Sequence, residues 1–210
     1  ADDLALAHRA TGDDRFREGF FALARDWHAA EPIGKPGFAR VAWNERVVAT
    51  RLMHWSVAGS LLALHPDDPD AIWLGREIAR QALFLRDNLA LDLLANHLFR
   101  DCVALVFADA LLGVVPDAQP LLEAEVREQI LADGAHVERC PMYHAVCLAD
   151  LVDLRALLGA AAPGWLSDAL ARAAGFLDGV LLGDGDIPLL GDGWRGEVDV
   201  ARVLAQARSL

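Results

Sequence analysis

An all-α fold is predicted by three features of this 210-residue chain. Apolar residues recur at helical spacing along most of its length. Runs of alternating polarity built from Val, Ile and Thr, the mark of strands, are absent. Clusters of Gly, Pro and Asp cut the periodic stretches into pieces of helix length. The spacing predicts helices over roughly 13–30, 43–64, 68–87, 91–113, 119–132, 141–159, 164–179 and 197–208. In chain order, the breaks fall at Glu31-Pro32-Ile33-Gly34-Lys35-Pro36-Gly37, at His65-Pro66-Asp67-Asp68-Pro69, and at Gly113 to Pro116. Two more follow at Asp133-Gly134 and at Ala162-Pro163-Gly164, all built from helix-stop and turn residues.

Helices of this length on short joints make antiparallel hairpins. No sequence repeat relates them, which disfavours a strict solenoid. A partial ring of helical hairpins, an α/α toroid, fits the pattern, and a generic bundle fits it equally. The stretch from Leu181 to Trp194, LLGDGDIPLLGDGW, differs from the rest: it is rich in Gly and Asp around a short apolar centre. It lacks the ligand series and closing Glu of a helix–loop–helix calcium site, so a tight turn or a short strand pair is expected there.

The composition, 54 % apolar and 24 % charged, is that of a globular chain, and its length suits one domain over 1–210. The longest apolar run, Cys102 to Val115, is interrupted by Asp109 and is too short to span a bilayer; no membrane partner is expected. The opening ADDLALAHRATGDDR shows no basic start followed by an apolar block, so no signal peptide is visible, and the compartment stays open. Cys102, Cys140 and Cys147 do not form a disulfide framework and read as buried thiols. The net charge of −12 argues against nucleic acid as a partner. An acidic polymer would have to meet a local basic groove. The bases are 18 Arg and the single Lys35.

Three segments concentrate chemistry. Asp133 to His144, DGAHVERCPMYH, holds two His, a Glu, an Arg, a Cys and the chain's only Tyr. Pro141 suits the first position of a helix, which places Tyr143 and His144 in a first turn whose free amides favour negative charge. LLANHLFRD, ending at Asp101, sets Asn96 and His97 inside an apolar helix, where polar side chains need partners. WNERVVATRLMHW, from Trp43 to Trp55, puts Arg51 and Trp55 four residues apart on one helix face, a plausible sugar platform beside a carboxylate clamp. Each also has a plainer reading: a satisfied core histidine, a snorkelling Arg against packed rings, a Tyr closing a core. His136, Cys140 and His144 have a zinc-like spacing that Pro141 interrupts. His136-Val137-Glu138 echoes a deaminase signature but lacks its second half.

Taken in order, Asn96-His97-Leu98, then Glu128-Gln129 leading into DGAHVERCPMYH, then GDGDIPLLGDGW, resemble the heparinase II/III-like polysaccharide lyases. Trp43, Arg51 and Trp55 resemble that family's earlier W…R…x-W helix, so the likeness runs from about residue 43 to 194. Cys140 stands where the family usually has Ser, and His54 where Asn is expected. The resemblance implies an α/α toroid, an incomplete ring in this chain. It also implies a C-terminal β-sandwich in family members, which this chain does not reach. The implied activity is β-elimination of a uronic-acid polysaccharide. Asn96 would hydrogen-bond the substrate carboxylate, Tyr143 would take the C5 proton and return it to the leaving oxygen, and His97 would position the carboxylate or serve as base for the other epimer. Because a phenol near pKa 10 is a poor base at neutral pH, Arg139, His144 and the helix N-terminus are candidates for lowering it. Arg51, Trp55, Arg139 and His144 are the implied substrate-binding set. The scheme requires no metal or other cofactor. Two alternatives remain: a toroid that binds sugar or serves structure without catalysis, and a glycoside hydrolase using acids such as Asp184, Asp186 or Asp192.

Overall fold

The computed structural model describes residues 2–210. Among the described residues the fold is all-α: α1 (Asp2–Thr11), α2 (Asp14–Ala30), α3 (Glu45–Leu62), α4 (Pro69–Arg86), α5 (Ala95–Leu112), α6 (Ala118–Gln129), α7 (Pro141–Leu158), α8 (Gly164–Val180) and α9 (Val200–Ser209). The eight predicted helices are present, and α1 is an addition. Local chemistry explains the starts. Asp13, Asp68 and Asp199 accept first-turn amides of α2, α4 and α9, and Pro69 and Pro141 open α4 and α7. The Gly- and Asp-rich stretch over 181–194 forms turns rather than a strand pair. The Leu182 amide donates to the Asp186 carbonyl at 2.8 Å, and the Gly185 amide to Leu182 at 2.9 Å.

The chain divides into two compact units. One comprises the chain up to Leu89 together with Phe107–Pro116, and the other comprises Ala90–Val106 with Asp117–Leu210. In the first, α1 packs on α2 and α3, and α3 on α4. Its core is aromatic. Trp27 meets Trp43 at 5.6 Å and Trp55 at 5.5 Å between ring centroids, and Trp55 meets Trp73 at 6.0 Å. In the second, α7 packs on α8 and α9, and α6 meets α8. Phe99, Leu122, Met142, Leu148 and Leu177 are buried in this unit.

One ion pair lies inside the second unit. Arg100 on α5 donates through Nε and Nη2 to both oxygens of Asp150 on α7, at 2.8 and 2.7 Å. The two side chains are 18 % and 5 % exposed. At that burial, losing one partner strands the other charge and costs about 3–5 kcal/mol.

Candidate active site

In the second unit, the chemistry-bearing segment is the loop that joins α6 to α7. It leaves α6 after Gln129 and folds back through the isolated bridge between Ile130 and His136. The Leu131 amide donates to Ala135 at 2.8 Å and the Val137 amide to Gln129 at 2.9 Å. Asp133 accepts the Ala135 amide at 3.0 Å, an Asx turn that starts the return. Gly134 lies at φ +89° and rests its bare α-carbon on α8; a Cβ there would sit 2.2 Å from the Arg172 carbonyl oxygen. Position 134 therefore needs Gly on two counts, conformation and contact.

Two buried histidines lock the loop. The His136 amide donates to His144 Nδ1 at 3.1 Å, and His144 Nε2 then donates to the Ala173 carbonyl on α8 at 2.9 Å. His136 Nε2 donates to Gln129 Oε1 at 2.9 Å, and its Nδ1 accepts the Glu138 amide at 3.4 Å. Each ring thus carries its proton on Nε2, an assignment made from these partners. Burial, with the neighbouring His144, holds the His136 imidazole down at about 4, and burial lowers His144 as well. The 3.6 Å approach of His136 Nδ1 to Glu138 is therefore no ion pair at neutral pH. The ring of His144, expected from the sequence to contact substrate, borders a cavity beside α8. At 2 % exposure, with both nitrogens bonded to backbone, the ring is a structural pin. Being neutral, it also brings no positive charge to the neighbouring phenol.

Asn96 and His97 lie in the first turn of α5, beyond Leu94 and Ala95 in left-handed backbone at φ +58° and +47°. Asn96 is buried and His97 half-buried. The partner that buried Asn96 requires is Glu138. The Asn96 side-chain amide donates to Glu138 Oε2 at 2.8 Å, and the Asn96 backbone amide reaches the same oxygen at 3.3 Å. That backbone amide is one of the free donors of a helix first turn, so a carboxylate from the distant loop caps α5. Glu138 was not among the predicted residues. The available signal was the buried Asn, which announces a partner without naming it.

Arg139, at φ +54°, turns the chain into α7. It is exposed, and among the described residues it makes no ion pair. With His136, Cys140, Phe176, Val180 and Pro188 it lines a cavity of about 470 Å³. Tyr143 is half-buried in the first turn of α7, as predicted from Pro141. Asn96, His97 and Tyr143 do not contribute to that cavity's wall.

Arg51 and Trp55 belong to the first unit. Arg51 Nε donates to Gln81 Oε1 at 2.6 Å, Nη1 donates to the Ala42 carbonyl at 2.9 Å, and the guanidinium lies 3.8 Å from the centre of the Trp27 ring. Burial and the nearby Arg80 pull its pKa down to about 10, against the pull of Glu77. Trp55 is 6 % exposed and packs edge-on against Trp27 and Phe20. The open sugar platform is thus corrected to an aromatic core with an internal Arg; these two side chains reach only the wall of a separate cavity of about 230 Å³. Asp184 and Asp186 both approach Arg195, at 3.7 and 3.2 Å, which spends part of the paired-acid set. Among the described residues, no cluster of three or more His, Cys, Asp or Glu is placed to hold a metal ion, and no helix is long and apolar enough to cross a membrane.

The model of the heparinase II/III N-terminus matches residues 2–210 of the chain. A heparin-sulfate lyase of Bacteroides thetaiotaomicron is 25 % identical over 220 residues, covering 90 % of this chain and 30 % of its own length. A heparin-sulfate lyase of Pedobacter heparinus is 23 % identical over 155 residues, covering 69 % of this chain and 23 % of its own. Among solved structures, a heparinase III superposes with a TM-score of 0.70 at 23 % identity over 91 % of this chain and 32 % of that one. The heparan sulfate lyase HepC of Pedobacter heparinus gives 0.64 at 21 % identity, with the same coverage. The chain thus spans about a third or less of the length of these relatives. At such identities the likeness shows a shared all-α fold.

Proposed function

Because the chain belongs to the heparinase II/III N-terminus family, we propose that it is the helical part of a polysaccharide lyase that cleaves uronic-acid polymers by β-elimination. One observation carries the assignment of residues. The two segments that hold the amide and the phenol, the start of α5 and the loop into α7, are joined by the Asn96–Glu138 hydrogen bond at 2.8 Å. Tyr143 lies five positions after Glu138, a reach of at most about 18 Å.

In the proposed step, Asn96 donates to the substrate carboxylate and stabilises the charge that grows there as C5 loses its proton. The Tyr143 phenolate takes that proton. The C5–H electron pair becomes the C4–C5 double bond, the C4–oxygen bond breaks, and the leaving oxygen receives the proton from the Tyr143 hydroxyl. The first turn of α7, with its free amides, favours the phenolate. The exposed Arg139 guanidinium adds positive charge next to that turn and offers a fork for a carboxylate or sulfate. His97 orients the carboxylate. The names of the relatives make heparan sulfate the first polymer to try.

The test follows ultraviolet absorbance of the unsaturated product with heparan sulfate, heparin and other uronate polymers. Tyr143→Phe is expected to remove at least about 100-fold of the rate while the thermal midpoint stays put. A folded protein that yields no unsaturated product from any of these polymers sinks the proposal.

A further inference from the structure

We propose that Glu138 is a positioning residue for this reaction, holding the Asn96 amide in the one orientation that serves a substrate carboxylate; this rests on the lyase reading above. A terminal amide has two faces of similar shape and opposite polarity, and it can flip between them. A carboxylate removes the ambiguity, because it only accepts. With Oε2 at 2.8 Å from Nδ2, the nitrogen must face Glu138. One N–H is thereby committed, and the second N–H of the same nitrogen is fixed in direction.

The same oxygen takes the Asn96 backbone amide at 3.3 Å, so both ends of the residue are tied to one atom. Glu138 is itself held. Its amide donates to His136 Nδ1, and His136 is anchored to Gln129 at the end of α6. The contact therefore relays the rigid α6 end to the first turn of α5. Left-handed non-glycine backbone flanks both partners, at Leu94 and Ala95 before Asn96 and at Arg139 after Glu138. Such conformations persist where the surroundings over-determine them. The Glu138 side chain is 27 % exposed, which is more than a buried structural cap needs.

A misplacement of a reacting group by about 1 Å costs on the order of 100-fold in rate. In the purified protein with heparan sulfate as probe, Glu138→Ala is expected to lower kcat by about tenfold or more with KM within about threefold, since the amide acts in the transition state. In Glu138→Gln the Asn96 backbone amide, bound to the same oxygen in the parent, selects Oε1 over the NH2, so kcat is expected to return to within about threefold of the parent. A second readout does not need activity. The side-chain amide signal of Asn96, identified in a nitrogen-15 spectrum by its loss in Asn96→Asp, is expected to shift and to exchange faster with water in Glu138→Ala, and to stay near its parent position in Glu138→Gln.

Unchanged kcat in Glu138→Ala overturns the proposal. A Glu138→Gln variant as damaged as Glu138→Ala also overturns it, since the charge itself would then be needed. If the parent protein cleaves no uronate polymer, the lyase reading fails by itself and the amide signal decides on Glu138. An Asn96 signal unmoved by Glu138→Ala refutes the anchoring, and a moved one upholds it.

Discussion

The Trp43–Trp55 segment, which joins Trp27 in an aromatic cluster, and the loop from Asp133 to His144 make the same offer in sequence: a cation, an aromatic ring and polar neighbours within about a dozen residues. Their packing separates them. In the cluster, Arg51 spends two nitrogens on Gln81 and Ala42 and lays its plane on Trp27, so the cation serves as core filler. In the loop, two neutral histidines carry the internal load, and that leaves Arg139 exposed and Glu138 partly so. Where internal partners satisfy the polar groups, the residues hold the fold. Where a separate set does the holding, polar groups remain for a ligand.

Three measurements press on this contrast, from the largest expected effect to the smallest. Trp55→Ala is expected to destabilise the protein by about 3–5 kcal/mol in urea unfolding, the range for removing a large buried aromatic ring. A shift below about 1 kcal/mol would return Trp55 to the surface platform first expected of it. Second comes acid. His136 has a folded pKa of about 4, below its unfolded value, so the unfolded chain binds the extra proton. The corresponding stability is complete above about pH 6.5 and is lost as the pH falls towards 4, amounting to about 3 kcal/mol for this residue. His136→Gln should flatten the fall in urea midpoint across that window, and an unchanged slope would mean the ring is not held neutral. Smallest is Arg139→Ala. Stability should hold within about 0.5 kcal/mol, while affinity for a heparan sulfate oligosaccharide drops about tenfold with a weaker salt dependence. Equal affinity would leave the loop without its claim on the polymer.

Much of the fold was legible because helical periodicity and Pro, Gly and Asp punctuation are local signals; the start of α7 at Pro141 followed from one residue's missing amide hydrogen. Helix α1 was missed because it is short and buries only Ala5, too little to set a period. Two local features of the candidate site were legible. Tyr143 and His144 were placed in a first turn, and Asn96 was seen to need a partner. Which partner it takes, Glu138 across 42 positions, is decided by tertiary packing. Arg100 and Asp150 are a further case. Asp150 stands in the apolar run of α7 and required a cation, yet only the folded chain selects Arg100 among the 18 arginines. Spacing failed at Trp55 because four residues apart means one helix face, and says nothing of whether that face is covered.

The seat of Gly134 on α8 has an evolutionary corollary. A lone methyl group would strike the Arg172 carbonyl, so the loop's footing admits no gradual change. Substitutions that keep the loop in place are confined to outward-facing positions of the same segment, such as Val137 and Arg139. Selection for altered preference is expected to enrich substitutions at those positions and to return none at 134.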